Sequence, residues 1–119
     1  MAAPPLGVQL QSLEVRVPDD LENAFRAAGK ARADALIVVL SGFVGNHQEQ
    51  IVSVASKNRL PAMYTDSGSA RVGGLMSYGT DSADRFRRVA TYVDRMFKGT
   101  KPADLPVEQP AKFELVIKL

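Results

Sequence analysis

The fold class is decided by the stretch Ala35-Leu36-Ile37-Val38-Val39-Leu40-Ser41-Gly42-Phe43. Its first six residues are all apolar and three of them are β-branched, which is typical of a strand that helices cover on both faces. The Ser-Gly pair that follows predicts a turn where this strand ends. We therefore expect residues 35–40 to form the central strand of an α/β sheet.

The chain before this strand predicts one further strand and one helix. Residues 8–17 alternate apolar and polar side chains, which indicates a strand with one covered face. Pro18 ends that strand, and the spacing of Asp19 and Glu22 matches a capping box that opens a helix running to about residue 33. The order so far is strand, helix, strand.

The same alternation continues after the central strand. Asn46 and Glu49 repeat the capping pattern, so we expect a second helix that ends near residue 58. Residues 60–64 form a short third strand that opens on a proline. Three strands separated by two helices predict a parallel sheet with right-handed crossovers.

The second half of the chain contains the clearest helix. Residues 65–72 are small and polar and predict a loop, and residues 73–79 predict a short strand between glycines. Residues 81–98 carry an apolar stripe at helical spacing, with Gly99 as the stop. On the other face of this helix, acid-first pairs at i,i+4 indicate a solvated surface rather than a phosphate-binding one.

The chain ends in a connector and a last strand. Residues 101–110 are rich in proline, and in residues 113–119 the apolar Phe113, Leu115 and Ile117 alternate with other residues to form one dry face. Together the patterns predict the α/β class: a three-layer, open, mostly parallel sheet with helices on both faces.

Composition excludes several classes of protein. The 119 residues, 45% hydrophobic and 24% charged, fit one soluble domain, and the absence of Cys excludes disulfides and thiolate metal sites. A net charge of +2 is too small to attract nucleic acid, so we expect no nucleic-acid partner. No apolar run reaches the roughly 20 residues of a membrane span, and residues 1–7 lack the features of a secretion signal. These features favour a cytoplasmic location.

Catalytic chemistry has little support in the sequence. His47 is the single histidine, and its position in the first turn of a predicted helix favours an exposed, solvated side chain. A metal site built on His47 and Glu49 lacks further ligands. The aspartates near helix starts are explained by capping. We expect no enzymatic activity, no catalytic residue, no metal and no cofactor.

A binding site is favoured instead at the carboxyl ends of the strands, where open α/β sheets hold their ligands. Hydroxyls, glycine amides and aromatic rings gather at these ends, and they can hold a small molecule without transforming it. The candidate ligand-binding residues are Ser41, Gly42, Phe43, Tyr64, Ser77, Tyr78 and Gly79.

Several stretches resemble the C-terminal part of a bacterial family, the ABC-transporter substrate-binding proteins that include tryptophan- and tyrosine-binding members. The most specific run is Lys98-Gly99-Thr100-Lys101-Pro102-Ala103-Asp104-Leu105-Pro106-Val107-Glu108-Gln109-Pro110. Similar stretches at matching places include Gly73-Gly74-Leu75-Met76-Ser77-Tyr78-Gly79, Asp84-Arg85-Phe86-Arg87-Arg88-Val89-Ala90-Thr91-Tyr92-Val93-Asp94 and Arg59-Leu60-Pro61-Ala62-Met63-Tyr64. The resemblance covers almost the whole chain.

This resemblance implies a type I periplasmic-binding fold, in which two α/β lobes trap a solute by hinge closure. Residues 1–72 would belong to one lobe, residues 73–100 would return to the other, and residues 101–119 would be a connector and a final crossover strand. The chain would be a truncated solute-binding component that contains one lobe and part of its partner. All three segments could also fold together as one compact domain.

The implied function is noncatalytic capture of a small solute, such as an aromatic amino acid, for the membrane subunits of an ABC importer in the periplasm. Ser77 and loop amides would hydrogen-bond the solute, with Tyr64 or Tyr78 against it. Uncovered lobe surface would favour a homodimer, with elements exchanged between subunits as one form of it. The alternative is an α/β interaction or regulatory domain that binds no solute.

Overall fold

The computed structural model describes residues 4–118, and it consists of four strands and five α-helices in that range. The strands are β1 (Leu36–Val38), β2 (Ala62–Tyr64), β3 (Met76–Thr80) and β4 (Phe113–Ile117). The helices are α1 (Asp19–Lys30), α2 (Gly42–Asn46), α3 (Gln48–Lys57), α4 (Ser67–Arg71) and α5 (Ser82–Phe97), with short 3-10 turns at Pro4–Leu6 and Pro102–Asp104. The predicted α/β class is confirmed.

The strands form one sheet in the order β1-β2-β3-β4. The first three strands are parallel, and β4 runs antiparallel to β3. Because paired residues lie on the same side of a sheet, the register divides the side chains into two faces. The covered face carries Leu36, Val38, Ala62, Tyr64, Ser77 and Val116; the open face carries Ile37, Met63, Met76, Tyr78, Thr80, Phe113, Leu115 and Ile117.

The core lies between the covered face and two helices. Leu21 of α1 and Ile51 of α3 are buried there beside Ala62 and Tyr64 of the sheet. Both helices are amphipathic, so burying one stripe of each against the sheet removes apolar surface from water at about 25 cal/mol per Å². The sequence periodicity thus explains why these two helices pack where they do.

The open face has no such layer within residues 4–118. Its large members Ile37, Tyr78, Phe113, Leu115 and Ile117 are all between 49% and 60% exposed. The predicted dry face of the last strand is therefore wrong for the described chain. The helices α1 and α3 cover one side of the sheet, and β1 lies at its edge instead of its centre.

Two predictions in the first two-thirds of the chain are wrong. Residues 8–17 form no strand, because the backbone amides of Arg16 and Val17 donate to the Asp20 carboxylate, at 3.0 Å and 3.2 Å, instead of pairing with the sheet. These two hydrogen bonds lower the pKa of Asp20. Residues 65–72 contain α4 where a loop was expected.

The predicted helix caps also differ from the observed ones. The residue preceding α1 is Pro18, which makes no side-chain capping bond, so the expected capping box at Asp19 is absent from this helix start. The second helix is split: α2 begins after Ser41, and α3 begins after His47 rather than at the expected Asn46.

Helix α5 matches its prediction closely. Asp81 caps it by accepting from the amides of Ala83 and Asp84, at 2.9 Å and 3.2 Å, and Gly99 follows it at φ +106°, in the region that glycine favours. Its apolar stripe is exposed, with Phe97 at 87%. The radius of gyration, 17.9 Å, exceeds the roughly 13.5 Å of a compact domain of this length. The described chain is therefore elongated.

Two interpretations concern residues that lie partly outside the described range. Residues 1–3 lie outside it, and they belong to the segment 1–7 in which we looked for a secretion signal. Leu119, the end of the predicted last strand, also lies outside it. None of the helices between residues 4 and 118 is long and apolar enough to cross a membrane. The division of the chain into the segments 1–72, 73–100 and 101–119 stays a prediction.

Candidate functional site

Three strand ends meet at one edge of the sheet, and Thr65 joins them. Its hydroxyl accepts a hydrogen bond from the Leu40 amide at 2.8 Å, and its own amide donates to the Val38 carbonyl at 3.1 Å. On its other side, Gly79 approaches the Thr65 carbonyl so closely that a Cβ at this position would collide with it. The ends of β1, β2 and β3 therefore form one continuous surface, which we call the strand-end edge (residues 39–43, 65–66 and 79–80).

Ser41, Gly42 and Phe43 lie on this edge, as predicted from the sequence. The Ser41 hydroxyl accepts from the Val44 amide at 3.2 Å and so caps α2, while its own proton is free for another acceptor. Phe43 is half-buried and stacks on His47, with ring centroids 4.2 Å apart. The His47 Nδ1 is 2.8 Å from the Phe43 carbonyl oxygen, so this ring is positioned by the turn that carries it.

Asp66 is a further residue of this edge that the predicted set did not contain. Its Oδ1 accepts from Gln48 Nε2 at 2.7 Å and from the Ser69 amide at 2.8 Å, and its Oδ2 accepts from the Ser69 hydroxyl at 2.9 Å. These bonds tie the end of β2 to both α3 and α4. The sequence signal for it was Asp66 itself, a good N-cap residue directly after a strand.

Tyr64 and Ser77 lie beneath the edge instead of on it. They are register partners on the covered face, and each is 1% exposed. Burial, and next the charge of Asp66, raise the pKa of the Tyr64 phenol, so this side chain stays neutral at physiological pH. The Tyr64 ring packs into the core cluster that includes Leu21 and Ile51.

Tyr78 points to a third place, the open face. It is exposed and stacks on Phe113, with ring centroids 5.8 Å apart and an interplanar angle of 15°. The seven predicted residues thus separate into four at the edge (Ser41, Gly42, Phe43 and Gly79), two in the core and one on the open face.

Two shallow cavities occur in the described part of the chain. One, of about 410 Å³, lies beside the junction of α2 and α3 and is lined by polar residues that include His47 and Gln48. The other, of about 240 Å³, lies below Tyr64 near Pro61 and Gly74. Neither includes Ser41, Phe43 or Gly79. Ser41 and Gly42 are exposed, so this part of the strand-end edge is an open surface.

The strand-end edge carries groups for hydrogen bonding and for aromatic contact. It offers the hydroxyls of Ser41 and Thr65, the half-buried carboxylate of Asp66, backbone amides and the ring of Phe43. Among residues 4–118, no three metal-ligating side chains come together. An open α/β sheet with polar groups at its strand ends defines a class of ligand-binding protein.

Comparison with known families shows to which family within that class the chain belongs. All of residues 1–119 match the family model described as ABC transporter substrate binding protein. The chain belongs to this family, and the resemblance seen in its sequence is confirmed. No curated protein matches it.

Two solved structures share the fold. A conserved domain protein from Vibrio cholerae O1 biovar El Tor matches with a TM-score of 0.84 and 22% identity over 98% of this chain. An ABC domain from Streptococcus pneumoniae, solved in complex with L-Trp, matches with a TM-score of 0.81 and 23% identity over 97% of this chain. The chain spans only 39% and 40% of these two proteins.

Proposed function

We propose that this chain captures a small zwitterionic solute, such as an aromatic amino acid, at the strand-end edge, as part of the periplasmic component of an ABC importer. The observation that carries the proposal is the family match over the whole chain. The solute would be bound and passed to the membrane subunits of the importer without chemical change. An L-Trp complex of a protein with the same fold supports this solute class.

The groups at the edge suit the two charged ends of an amino acid. A carboxylate has about four acceptor positions, and the three hydrogen bonds to Asp66 leave capacity for a ligand ammonium group. The hydroxyls of Ser41 and Thr65 each keep a proton that can be donated to a ligand carboxylate. Phe43 supplies an aromatic surface for an apolar side chain.

The expected affinity of this chain is low, because the edge is open. Ligand pockets usually bury roughly 70–90% of a small molecule, whereas an open edge contacts one side of it. A complex with a micromolar dissociation constant has a binding free energy of about −8 kcal/mol. If half of it is lost, the remaining value of about −4 kcal/mol corresponds to a dissociation constant of about 1 mM. Binding assays should therefore reach at least about 10 mM solute.

NMR titration of the ¹⁵N-labelled chain with L-Trp tests the proposal. We expect saturable shifts of amides in residues 41–43, 65–66 and 79–80, and much smaller shifts in α5. Indole and L-alanine, titrated separately, distinguish recognition of the ring from recognition of the charged ends. Because the chain contains no Trp, the fluorescence anisotropy of the ligand gives an independent reading.

An Asp66→Asn variant sharpens the test, with Asp34→Asn as its matched control. Asp34 is exposed and lies in the loop before β1, away from the edge. We expect Asp66→Asn to weaken L-Trp binding about tenfold while Asp34→Asn leaves it unchanged. If no amino acid shifts the edge amides at the highest concentration, the alternative of an interaction domain without a solute replaces this proposal.

The same proposal includes a homodimer. The exposed apolar side chains of the described chain support it, because large uncovered apolar patches are rare on monomers.

A further inference from the structure

The Asp66 carboxylate accepts one hydrogen bond more than helix capping requires. Ser69 donates twice, through its amide to Oδ1 at 2.8 Å and through its hydroxyl to Oδ2 at 2.9 Å, and both bonds belong to the start of α4. The third donor is Nε2 of Gln48, the first residue of α3, which reaches Oδ1 at 2.7 Å. Because Gln48 lies 18 residues before Asp66 in the chain, this bond is not part of a local cap.

Gly68 leaves the space that this bond occupies. A Cβ built on Gly68 would lie 2.8 Å from Gln48 Nε2, 3.0 Å from Gln48 Oε1 and 3.1 Å from Asp66 Oδ1. Favourable contacts of a carbon atom begin at about 3.5 Å. A side chain at this position would therefore displace the Gln48 amide, which is the flexible end of a long side chain and the group that moves most easily.

The three bonds determine which acceptor position of Asp66 stays open. Each carboxylate oxygen offers about two acceptor positions. Gln48 and the Ser69 amide fill both positions of Oδ1, whereas Oδ2 accepts only the Ser69 hydroxyl among the groups of residues 4–118. One N–H of an ammonium group can use the remaining position. A guanidinium group binds a carboxylate through two parallel N–H bonds, one to each oxygen, and Oδ1 has no position left for it.

We propose that Gln48 is a specificity-determining residue of the strand-end edge. By occupying Oδ1 it restricts Asp66 to solutes that present a primary ammonium group, and it excludes solutes that present a guanidinium group at the same place. This inference rests on the proposed solute function and names the headgroup that the edge would accept. Gln48 acts through the Asp66 carboxylate and is a positioning residue, so it needs no contact with the solute.

Two matched ligands test this selectivity by NMR titration. They are L-Trp and the derivative in which its α-amino group is converted to a guanidino group; both carry the same ring, carboxylate and net charge. The wild-type chain should bind L-Trp roughly fivefold more tightly than the derivative. In Gln48→Ala one position of Oδ1 becomes free, so the derivative should bind roughly fivefold more tightly than it does to the wild type. A purely structural role of Gln48 would weaken both ligands alike.

A second variant and a matched control complete the design. Gly68→Ala keeps every polar group and fills only the space of the Gln48 amide, so it should change the selectivity in the same direction as Gln48→Ala. Gln50→Ala is the control, because Gln50 has the same side chain, lies in the same helix and is exposed. It should keep the wild-type selectivity. Circular dichroism of each variant establishes that it is folded before ligands are compared.

The side-chain amide resonances of Gln48 report the bond without any solute. In the solute-free wild type they should differ from those of the exposed Gln50, and in Gly68→Ala they should approach them. Resonances that match those of Gln50 already in the wild type would overturn the inference. So would equal binding of the two ligands by the wild type, or a folded Gln48→Ala variant that still rejects the guanidino derivative.

Failure of the proposed function has a different signature. The wild-type chain would then bind neither L-Trp nor the derivative, and the selectivity assigned to Gln48 would fall with it. If instead L-Trp shifts the edge amides while Gln48→Ala and Gln50→Ala show the same selectivity, solute capture stands and the role of Gln48 is refuted.

Discussion

Replacing Gly74 by Ala should destabilise the protein by about 3 kcal/mol, because there is no room for the added methyl group. A Cβ built on Gly74 lies 2.7 Å from the Ser69 carbonyl oxygen and 2.9 Å from Cε2 of Tyr64. Favourable contacts of carbon begin at about 3.5 Å, so both overlaps exceed half an ångström. The backbone dihedrals of Gly74 are not those that require glycine, which leaves space as the only obstacle.

The magnitude follows from what must move. The carbonyl belongs to α4, and it accepts the Gly74 amide at 2.8 Å, a bond with a net contribution of about 1 kcal/mol. Tyr64 is fully buried, and displacing a side chain in a packed core costs about 1–3 kcal/mol. The combined loss of about 3 kcal/mol corresponds to a decrease in melting temperature of roughly 12 °C for a chain of this length.

Urea denaturation followed by circular dichroism, at one fixed protein concentration, measures this loss. Gly29→Ala is the matched control, since a Cβ on this exposed helical residue meets no atom within 4 Å. It should stabilise the chain by about 0.5–1 kcal/mol, because alanine restricts the unfolded backbone more than glycine. A loss of less than 1 kcal/mol for Gly74→Ala would refute the packing argument.

Two further predictions concern carboxylates. Asp66→Ala should lower the free energy of unfolding by about 2 kcal/mol in the same urea assay, because it removes the cap of α4 and leaves Gln48 without its partner. Asp34→Ala, the control, should change it by less than about 0.5 kcal/mol. Equal effects of the two substitutions would contradict the stabilising role of the Asp66 hydrogen bonds. The pKa of Asp81 is lowered, first by the hydrogen bond from the Asp84 amide and then by Lys112. The ionised carboxylate therefore stabilises the folded chain at pH values above the unfolded pKa of about 4. This stabilisation is lost as the pH falls through the lower pKa of the folded state. The difference in urea midpoint between wild type and Asp81→Asn, which keeps the cap, should therefore narrow from pH 7 to pH 3, and a constant difference would count against this linkage.

Local signals predicted the elements whose structure depends on local interactions. The stripe of α5, its cap at Asp81 and its stop at Gly99 are all within one segment, and the observed helix ends within a residue of its prediction. Helix α4 was missed for the converse reason. It has five residues and no apolar stripe, so the only available signal was an aspartate at its N-cap.

The pairing of strands and the covering of a sheet face depend on residues that are far apart in the chain, so local sequence patterns could not predict them. Alternation in residues 8–17 is compatible with a strand, but a strand needs a partner, and Asp20 binds two of its amides instead. In β4 the alternation grouped Phe113, Leu115 and Ile117 on one face correctly. It could not determine whether anything packs on that face, because the covering layer is not part of the pattern.

The same limit applies to the candidate site. The rule that ligands bind at strand ends placed Ser41, Gly42 and Phe43 correctly at the edge, because those residues follow β1 in the chain. It did not separate Ser77 from Tyr78, which are adjacent in sequence but point to opposite faces of β3. The side chain of a residue inside a strand points to one of the two faces, as those of Ser77 and Tyr78 do, whereas the edge is formed by the last residues of the strands and the loops that follow them.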